Sequence, residues 1–192
     1  MHQFDQQYYE RFYADSQTRA VSPEEQFQQA DFIAAYLRYL DVPVNSILDV
    51  GCGLGALLEQ LHKQFPAART QGVEFSDYLC RKYGWRQSSI LDYEDEPYDL
   101  VVCNDVLGYL AKKKDCARAI HKLADLCRHA LYLSVLTEDD LDVCDVAHTD
   151  MQQKLRPYQW YKKQLDQHFV AVGGGLFLKK PLQFAVWRLE RC

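Results

Sequence analysis

Three glycines in the run Gly51-Cys52-Gly53-Leu54-Gly55 follow the apolar stretch Ser46-Ile47-Leu48-Asp49-Val50 and precede an amphipathic one. Glycine permits positive φ and lets a ligand approach the backbone closely. A helix starting directly behind such a turn offers unpaired N–H groups and a partial positive charge. Gly51, Gly53 and Gly55 therefore mark a ligand cleft. Their spacing does not name the ligand, because with Ala56 last it also satisfies the relaxed dinucleotide pattern. Glu74 lies about 20 residues further on, where a carboxylate can hold ribose hydroxyls. A second chemistry is proton transfer. His148 stands between Asp145 and Asp150, and histidine is the side chain that exchanges protons near neutral pH.

These residues need a scaffold, and the apolar pattern supplies one. Ser22-Pro23-Glu24-Glu25 reads as a capping box with proline at the first helical position. Phe27, Ala30, Ile33, Leu37 and Leu40 then form one stripe. Ser46–Val50 suits a strand covered on both faces, and Leu57, Leu58, Leu61 and Phe65 share one side of the next helix. Further strands are predicted over Thr70–Phe75, Arg86–Leu91, Asp99–Cys103 and Ala130–Leu136, with a helix over 113–128. Strand alternating with helix indicates an α/β fold with a doubly wound sheet. Thr137–Arg156 is acidic and irregular. A helix carrying Trp160, Tyr161, Leu165 and Phe169 follows, and β-rich stretches Val170–Lys179 and Leu182–Leu189, joined at Lys180-Pro181, end the chain as a hairpin with one antiparallel strand.

The 192 residues, 48% hydrophobic and 26% charged, suit a single domain. It divides into a helical cap or lid over 1–42, a ligand-binding core over 43–136, and a substrate-side loop, helix and hairpin over 137–192. The net charge of −5 argues against a nucleic-acid partner, and Lys112-Lys113-Lys114 reads as a solvated run. Seven cysteines, an odd number without C-x-x-C spacing, fit a cytoplasmic chain without a zinc site. No metal, membrane span or signal segment is expected, and the oligomeric state is open.

In its wider pattern the chain resembles the class I S-adenosylmethionine-dependent methyltransferases. Leu48-Asp49-Val50-Gly51-Cys52-Gly53-Leu54-Gly55 is similar to their first motif. Gly72-Val73-Glu74-Phe75-Ser76 is similar to their second strand end, and Tyr98 through Leu110 to their fourth strand and following loop. The resemblance implies a mostly parallel seven-stranded sheet with helices on both faces and S-adenosyl-L-methionine as cofactor, leaving as S-adenosyl-L-homocysteine. It gives Asp49 the glycine loop and the amino-acid end of the cofactor, with Gly51, Cys52 and Gly53 against it. Glu74 takes the ribose, Phe75 the adenine face, and Ser89 and Ile90 the adenine edge. The family's aspartate is missing at that point, which leaves Asp92 as a substitute. Asn104 and Asp105 line the methionine side, and Tyr109 replaces a common histidine.

The acceptor side falls to segments outside that core. Tyr8, Tyr9, Phe12 and Tyr13 form a candidate lid, with Tyr8 on the cofactor and Tyr13 on the substrate. Arg11 and Arg156 are candidate carboxylate partners or wall residues, Trp160 an aromatic wall, and His148 the candidate general base. The expected activity is in-line methyl transfer to a small molecule. A non-catalytic cofactor-binding module and an NAD-dependent oxidoreductase are the alternatives.

Overall fold

Period-two alternation divides the apolar residues between two layers. In the strand Ser46–Val50 (β1), Ile47 faces one core and Leu48 the other. The strand Tyr98–Asn104 (β4) sends Leu100 and Val102 to one side and Val101 and Cys103 to the other. Cys127–Ser134 (β5) does the same with Ala130 and Tyr132 against Leu131 and Leu133. A strand apolar on both faces is stable only when both are covered.

In the computed structural model, which describes residues 4–186, helices provide that cover. Pro23–Tyr39 (α2) and Ala56–Gln64 (α3) pack on one face through Ile33, Leu37 and Leu61, each fully buried. Lys113–Leu126 (α5) and Tyr158–Leu165 (α6) pack on the other through Ile120, Leu123 and Tyr161. Each buried leucine or isoleucine contributes about 1.5–3 kcal/mol by removal from water, more than any one cap. The remaining strands are Arg69–Glu74 (β2), Arg86–Gln87 (β3), Phe169–Gly173 (β6) and Leu176–Lys179 (β7).

The seven strands lie in the order β3-β2-β1-β4-β5-β7-β6. β7 runs antiparallel to both neighbours, and the other pairings are parallel. The sheet is thus doubly wound and mostly parallel, with one antiparallel strand near its C-terminal end. Strand order reverses between β1 and β4, where open α/β sheets form a ligand crevice. The dinucleotide alternative goes with the order 3-2-1-4-5-6, and β7 inserted between β5 and β6 departs from it.

Several elements differ from the sequence pattern. The third strand stops at Gln87 because Ser89 turns the chain: its carbonyl accepts from Asp92 and Tyr93 N–H, and its hydroxyl from Leu91 N–H at 3.2 Å. A short helix Asp77–Tyr83 (α4), capped by Ser76, was not expected. β5 starts directly at the end of α5 and stops at Ser134, two residues short of the expected end. Phe169 belongs to β6 and not to the preceding helix. The hairpin turns at Gly173-Gly174-Gly175, all with positive φ, instead of at Lys180-Pro181. Leu182 to Val186 form no strand, and the rest of the predicted Leu182–Leu189 stretch lies outside the described residues. Phe27 leaves the α2 stripe and is 47% exposed.

Before α2 the chain forms a short helix, Gln6–Tyr9 (α1), and a π-helical turn, Glu10–Ala14. At the start of α2, Ser22 Oγ accepts from Glu25 N–H at 3.1 Å and Ser22 N–H donates to Glu25 Oε2 at 2.6 Å. Ser22→Ala is expected to lower unfolding free energy by about 1 kcal/mol, the usual worth of a side-chain cap. Urea denaturation measures it; an unchanged midpoint would show that α2 is held by its buried stripe alone.

Candidate functional site

The glycine loop leaves β1 and is tied at once to β2. Gly51 N–H and Cys52 N–H both donate to the Val73 carbonyl, at 2.7 and 3.2 Å. Gly51 has φ of 71°, and a Cβ there would lie 2.3 Å from Val106 Cγ2, so only glycine fits. At Gly53 the nearest atom to a built Cβ is Tyr13 Cε1 at 3.9 Å, so this face of the loop opens into space. The first amides of α3 have no intrahelical acceptor and stand at the same edge.

Glu74, 5% exposed, closes the loop against β2. Its Oε2 accepts from Gly53 N–H at 2.9 Å, and its Oε1 from Phe75 and Ser76 N–H at 2.8 and 2.9 Å. Three backbone donors compensate the burial of this carboxylate. Asp49 is buried as well but accepts no hydrogen bond from the described residues. Burial first, and then the Glu74 charge, push its carboxyl up to about 7.

Two chambers flank the loop. One of about 350 Å³ is walled by Glu74, Phe75, Ser89 and Ile90, within the range of roughly 300–1,000 Å³ for small-ligand sites. The other, of about 170 Å³, is walled by Asp49, Cys52, His148, Asp150 and Gln153. Gly51, Gly53, Tyr8, Tyr13, Asn104, Asp105 and Tyr109 border both, which makes the chambers neighbours in one cleft. Phe75 is 59% exposed, with its ring free for a flat partner. Asp92 does not line the cleft, so the substitute contact considered for it has no place.

Asn104 stands in the wall shared by the two chambers and Gln153 in the smaller chamber alone. Asn104 Oδ1 and Gln153 Oε1 are buried and unpaired, a costly state for a protein to leave empty. Asp105 adopts φ of 55°, donates its N–H to the Ser134 carbonyl at 3.0 Å and accepts from Ser134 Oγ at 3.3 Å. Asp105 is exposed toward the cleft, and the protein packed around it desolvates its carboxyl enough to raise it above the ordinary range. Among the described residues no group of three or more His, Cys, Asp or Glu side chains could hold a metal.

The N-terminal aromatics cover this cleft. Tyr8 Oη and Tyr109 Oη lie 2.7 Å apart, and both donate to Asp150 Oδ2, at 3.2 and 2.9 Å. Burial chiefly pushes both phenols upward, so both remain neutral donors. Ser76 Oγ donates to the Phe4 carbonyl at 2.7 Å and pins the start of the lid to α4. Asp150, a sequence neighbour of His148, is committed to this latch. His148 Nδ1 lies 2.8 Å from the Arg19 carbonyl, and Nε2 is 4.0 Å from Asp145 Oδ2. A carbonyl only accepts, so Nδ1 carries a proton, and Nε2 lies toward Asp145.

Three sequence candidates lie elsewhere. Arg11 stacks over the Phe12 ring at 4.9 Å and lines neither chamber. Arg156 is 3% exposed and donates to the carbonyls of Lys154, Leu110 and Ala111, which fixes the chain after β4. Trp160 packs on the core beside Tyr161. Gln153, by contrast, joins the cleft without any sequence signal of its own.

Over residues 10–173 the chain matches a family model described as a methyltransferase domain. No curated protein matches it. Among solved structures it is similar to the plantazolicin methyltransferase BpumL in complex with SAH, at 19% identity and a TM-score of 0.59, covering 76% of this chain and 63% of that one. The sugar N-methyltransferase KedS8 from Streptoalloteichus sp. aligns at 21% identity and a TM-score of 0.59, covering 79% and 85%. An S-adenosylmethionine-dependent methyltransferase from Clostridium acetobutylicum aligns at 14% and 0.62, covering 85% and 86%. At these identities the shared property is the fold, and the aligned region spans less than two thirds of BpumL.

Tyr109→Phe removes one of the two phenols that hold Asp150. It is expected to cost about 1–2 kcal/mol, as for a lost hydrogen bond to a buried charge, and to speed proteolytic cleavage before α2. Urea denaturation and limited proteolysis report the two effects; unchanged cleavage would mean that the latch does not hold the lid.

Proposed function

The chain belongs to the methyltransferase-domain family, and from that premise we propose that it transfers a methyl group from S-adenosyl-L-methionine to a small-molecule acceptor. The observation that carries this reading is the pair of adjoining chambers at the β1–β4 switch point, divided by a loop with an open glycine face. The larger holds a buried carboxylate and a free aromatic ring, and the smaller is bordered by a histidine whose Nδ1 is held by the Arg19 carbonyl.

The residues present fit the cofactor. Glu74 Oε2 accepts one backbone bond and keeps capacity for a ribose hydroxyl. Phe75 offers a face to adenine, and Ser89 and Ile90 flank it. The Gly53 face and the α3 amides suit the carboxylate of the methionine portion. Asp49 faces its cationic groups, and Asn104 Oδ1 gains the partner it lacks. The cofactor brings an activated methyl group, so the protein's work is orientation, exclusion of water and proton handling. Tyr8 and Tyr13 close the cleft from above, and His148 is the proton acceptor if the acceptor atom must shed one. Six free cysteines among the described residues accord with a reducing, cytoplasmic setting. Among them too, no helix is long and apolar enough to cross a membrane.

Calorimetry with S-adenosyl-L-homocysteine followed by labelled-methyl transfer tests the proposal, and absence of binding would defeat it. Glu74→Gln, which keeps the side-chain shape, is expected to weaken that binding by about 1.5–3 kcal/mol through loss of charge-assisted bonds. Asp49 adds a pH signature. Its raised carboxyl is protonated in the free protein below about 7, and a cationic ligand favours the ionised form. Affinity for S-adenosyl-L-methionine should therefore rise with pH up to about 7 and level off above, by at most roughly tenfold per pH unit. Asp49→Asn should bind weakly at every pH and lose the slope; a retained slope would place the titrating group elsewhere.

A further inference from the structure

The charges around the cleft are one-sided. The smaller chamber has Asp49, Asp105 and Asp150 in its walls, the larger Glu74 and Asp105, and no Lys or Arg among the described residues lines either. The segment that precedes His148 in the chain, outside both chambers, carries Glu138, Asp139, Asp140, Asp142 and Asp145. Carboxylates enclosed without a counter-charge are unfavourable, and a field of one sign concentrates ligands of the other.

These carboxylates are not equally free. Glu74 accepts three backbone N–H groups, and Asp150 is engaged by Tyr8 and Tyr109 on one oxygen and Gln152 N–H on the other. Asp105 accepts only the Ser134 hydroxyl, on Oδ1 at 3.3 Å, and its Oδ2 accepts nothing from the described residues. It borders both chambers, where a methyl group passing between them must travel. Its left-handed backbone is one that Asp and Asn tolerate better than most side chains.

Resting on the methyl-transfer reading above, we propose that the acceptor is an amine that arrives as an ammonium and is held by Asp105 at the junction of the two chambers. An ammonium brings up to three N–H donors and no acceptor, which suits a carboxylate with a free oxygen. An anionic acceptor would be repelled, and a hydroxyl would gain little from Asp105. The ammonium first gives a proton to His148, whose ring borders the smaller chamber and whose Nδ1–H donates to the Arg19 carbonyl. The freed nitrogen lone pair then forms the N–CH₃ bond as the C–S bond of the sulfonium breaks with its electron pair kept by sulfur. The positive charge passes to the methylated nitrogen, and the imidazolium proton leaves through the 37% of the His148 side chain that solvent reaches. The charged groups around that ring are Asp145, Glu25 and Arg19 on the outer side and Asp49, Asp105 and Asp150 within the chamber.

The test uses the chain saturated with S-adenosyl-L-homocysteine and titrated with cyclohexylamine, cyclohexanol and cyclohexanecarboxylate, which share one ring. The amine should bind at least about tenfold tighter than the alcohol, equal to roughly 1.4 kcal/mol, and the carboxylate weakest. Asp105→Asn should erase the amine preference while alcohol binding stays within about threefold; equal losses for both would overturn the assignment to Asp105. Labelled-methyl transfer to cyclohexylamine by His148→Gln should fall at pH 7 and recover as pH approaches the amine's own value of about 10; failure to recover would overturn the proton route. If S-adenosyl-L-homocysteine itself does not bind, the parent reading fails. If it binds and the amine is not preferred, or none of the three probes binds, only the amine assignment fails.

Discussion

The Glu74 carboxylate holds the site together. It stands at the end of β2 and accepts Gly53 N–H across the gap to the β1 loop, while Phe75 and Ser76 N–H fold its own strand end around it. With the two bonds from Gly51 and Cys52 to the Val73 carbonyl, these contacts make the shape of the loop a consequence of the β1–β2 register, Val50 opposite Val73. Slip that register by one residue and every side chain changes face. Loop, chambers and the open Gly53 face would be lost together. A buried carboxylate satisfied by backbone donors is thus part of the fold before it meets any ligand.

The segments legible in sequence were those whose chemistry is local. Three glycines behind an apolar strand, and a carboxylate at the end of the next, need only neighbours along the chain to be recognised. The hairpin turn was legible too, in Gly173-Gly174-Gly175, but the apolar residues on either side masked it as one long strand. α4 escaped because it is short and buries only Leu79 and Cys80, too few for a periodic stripe. The latch was beyond reach for a different reason. Tyr8 meets Tyr109 and Asp150 only after the sheet has folded, and nothing in the spacing of an N-terminal tyrosine selects its partners. Arg156 shows the same limit, since a guanidinium that binds main-chain carbonyls reads in sequence like one awaiting a substrate.

The lid explains why the family's core motifs are not the whole site. The core supplies the strand ends, the loop and the two chambers, and it leaves one side of the cleft without cover. α1 and the π-helical turn after it supply that cover with aromatic rings: Tyr8 against Phe4, Tyr9 and Phe12, and Tyr9 stacked on Tyr78 of α4. Rings carry large apolar area at low side-chain entropy cost, and two phenols add fixed direction through Asp150. The cover is held by a few hydrogen bonds and edge contacts.

β4 places the structural and the functional use of one residue type at its two ends. Asp99, at the start, is 2% exposed and fully provided for, with Asn45 N–H at 2.7 Å and the Arg128 guanidinium against it. Asp105, just past the other end, has a left-handed backbone, a raised carboxyl, one hydroxyl for a partner and no cation. Nothing about the stability of the sheet requires the second arrangement, and residues that break local rules without internal compensation gather where a protein meets its ligand. The N-terminal end of the strand is where this chain neutralises its own charge. The C-terminal end is where a charge is left for something else to neutralise.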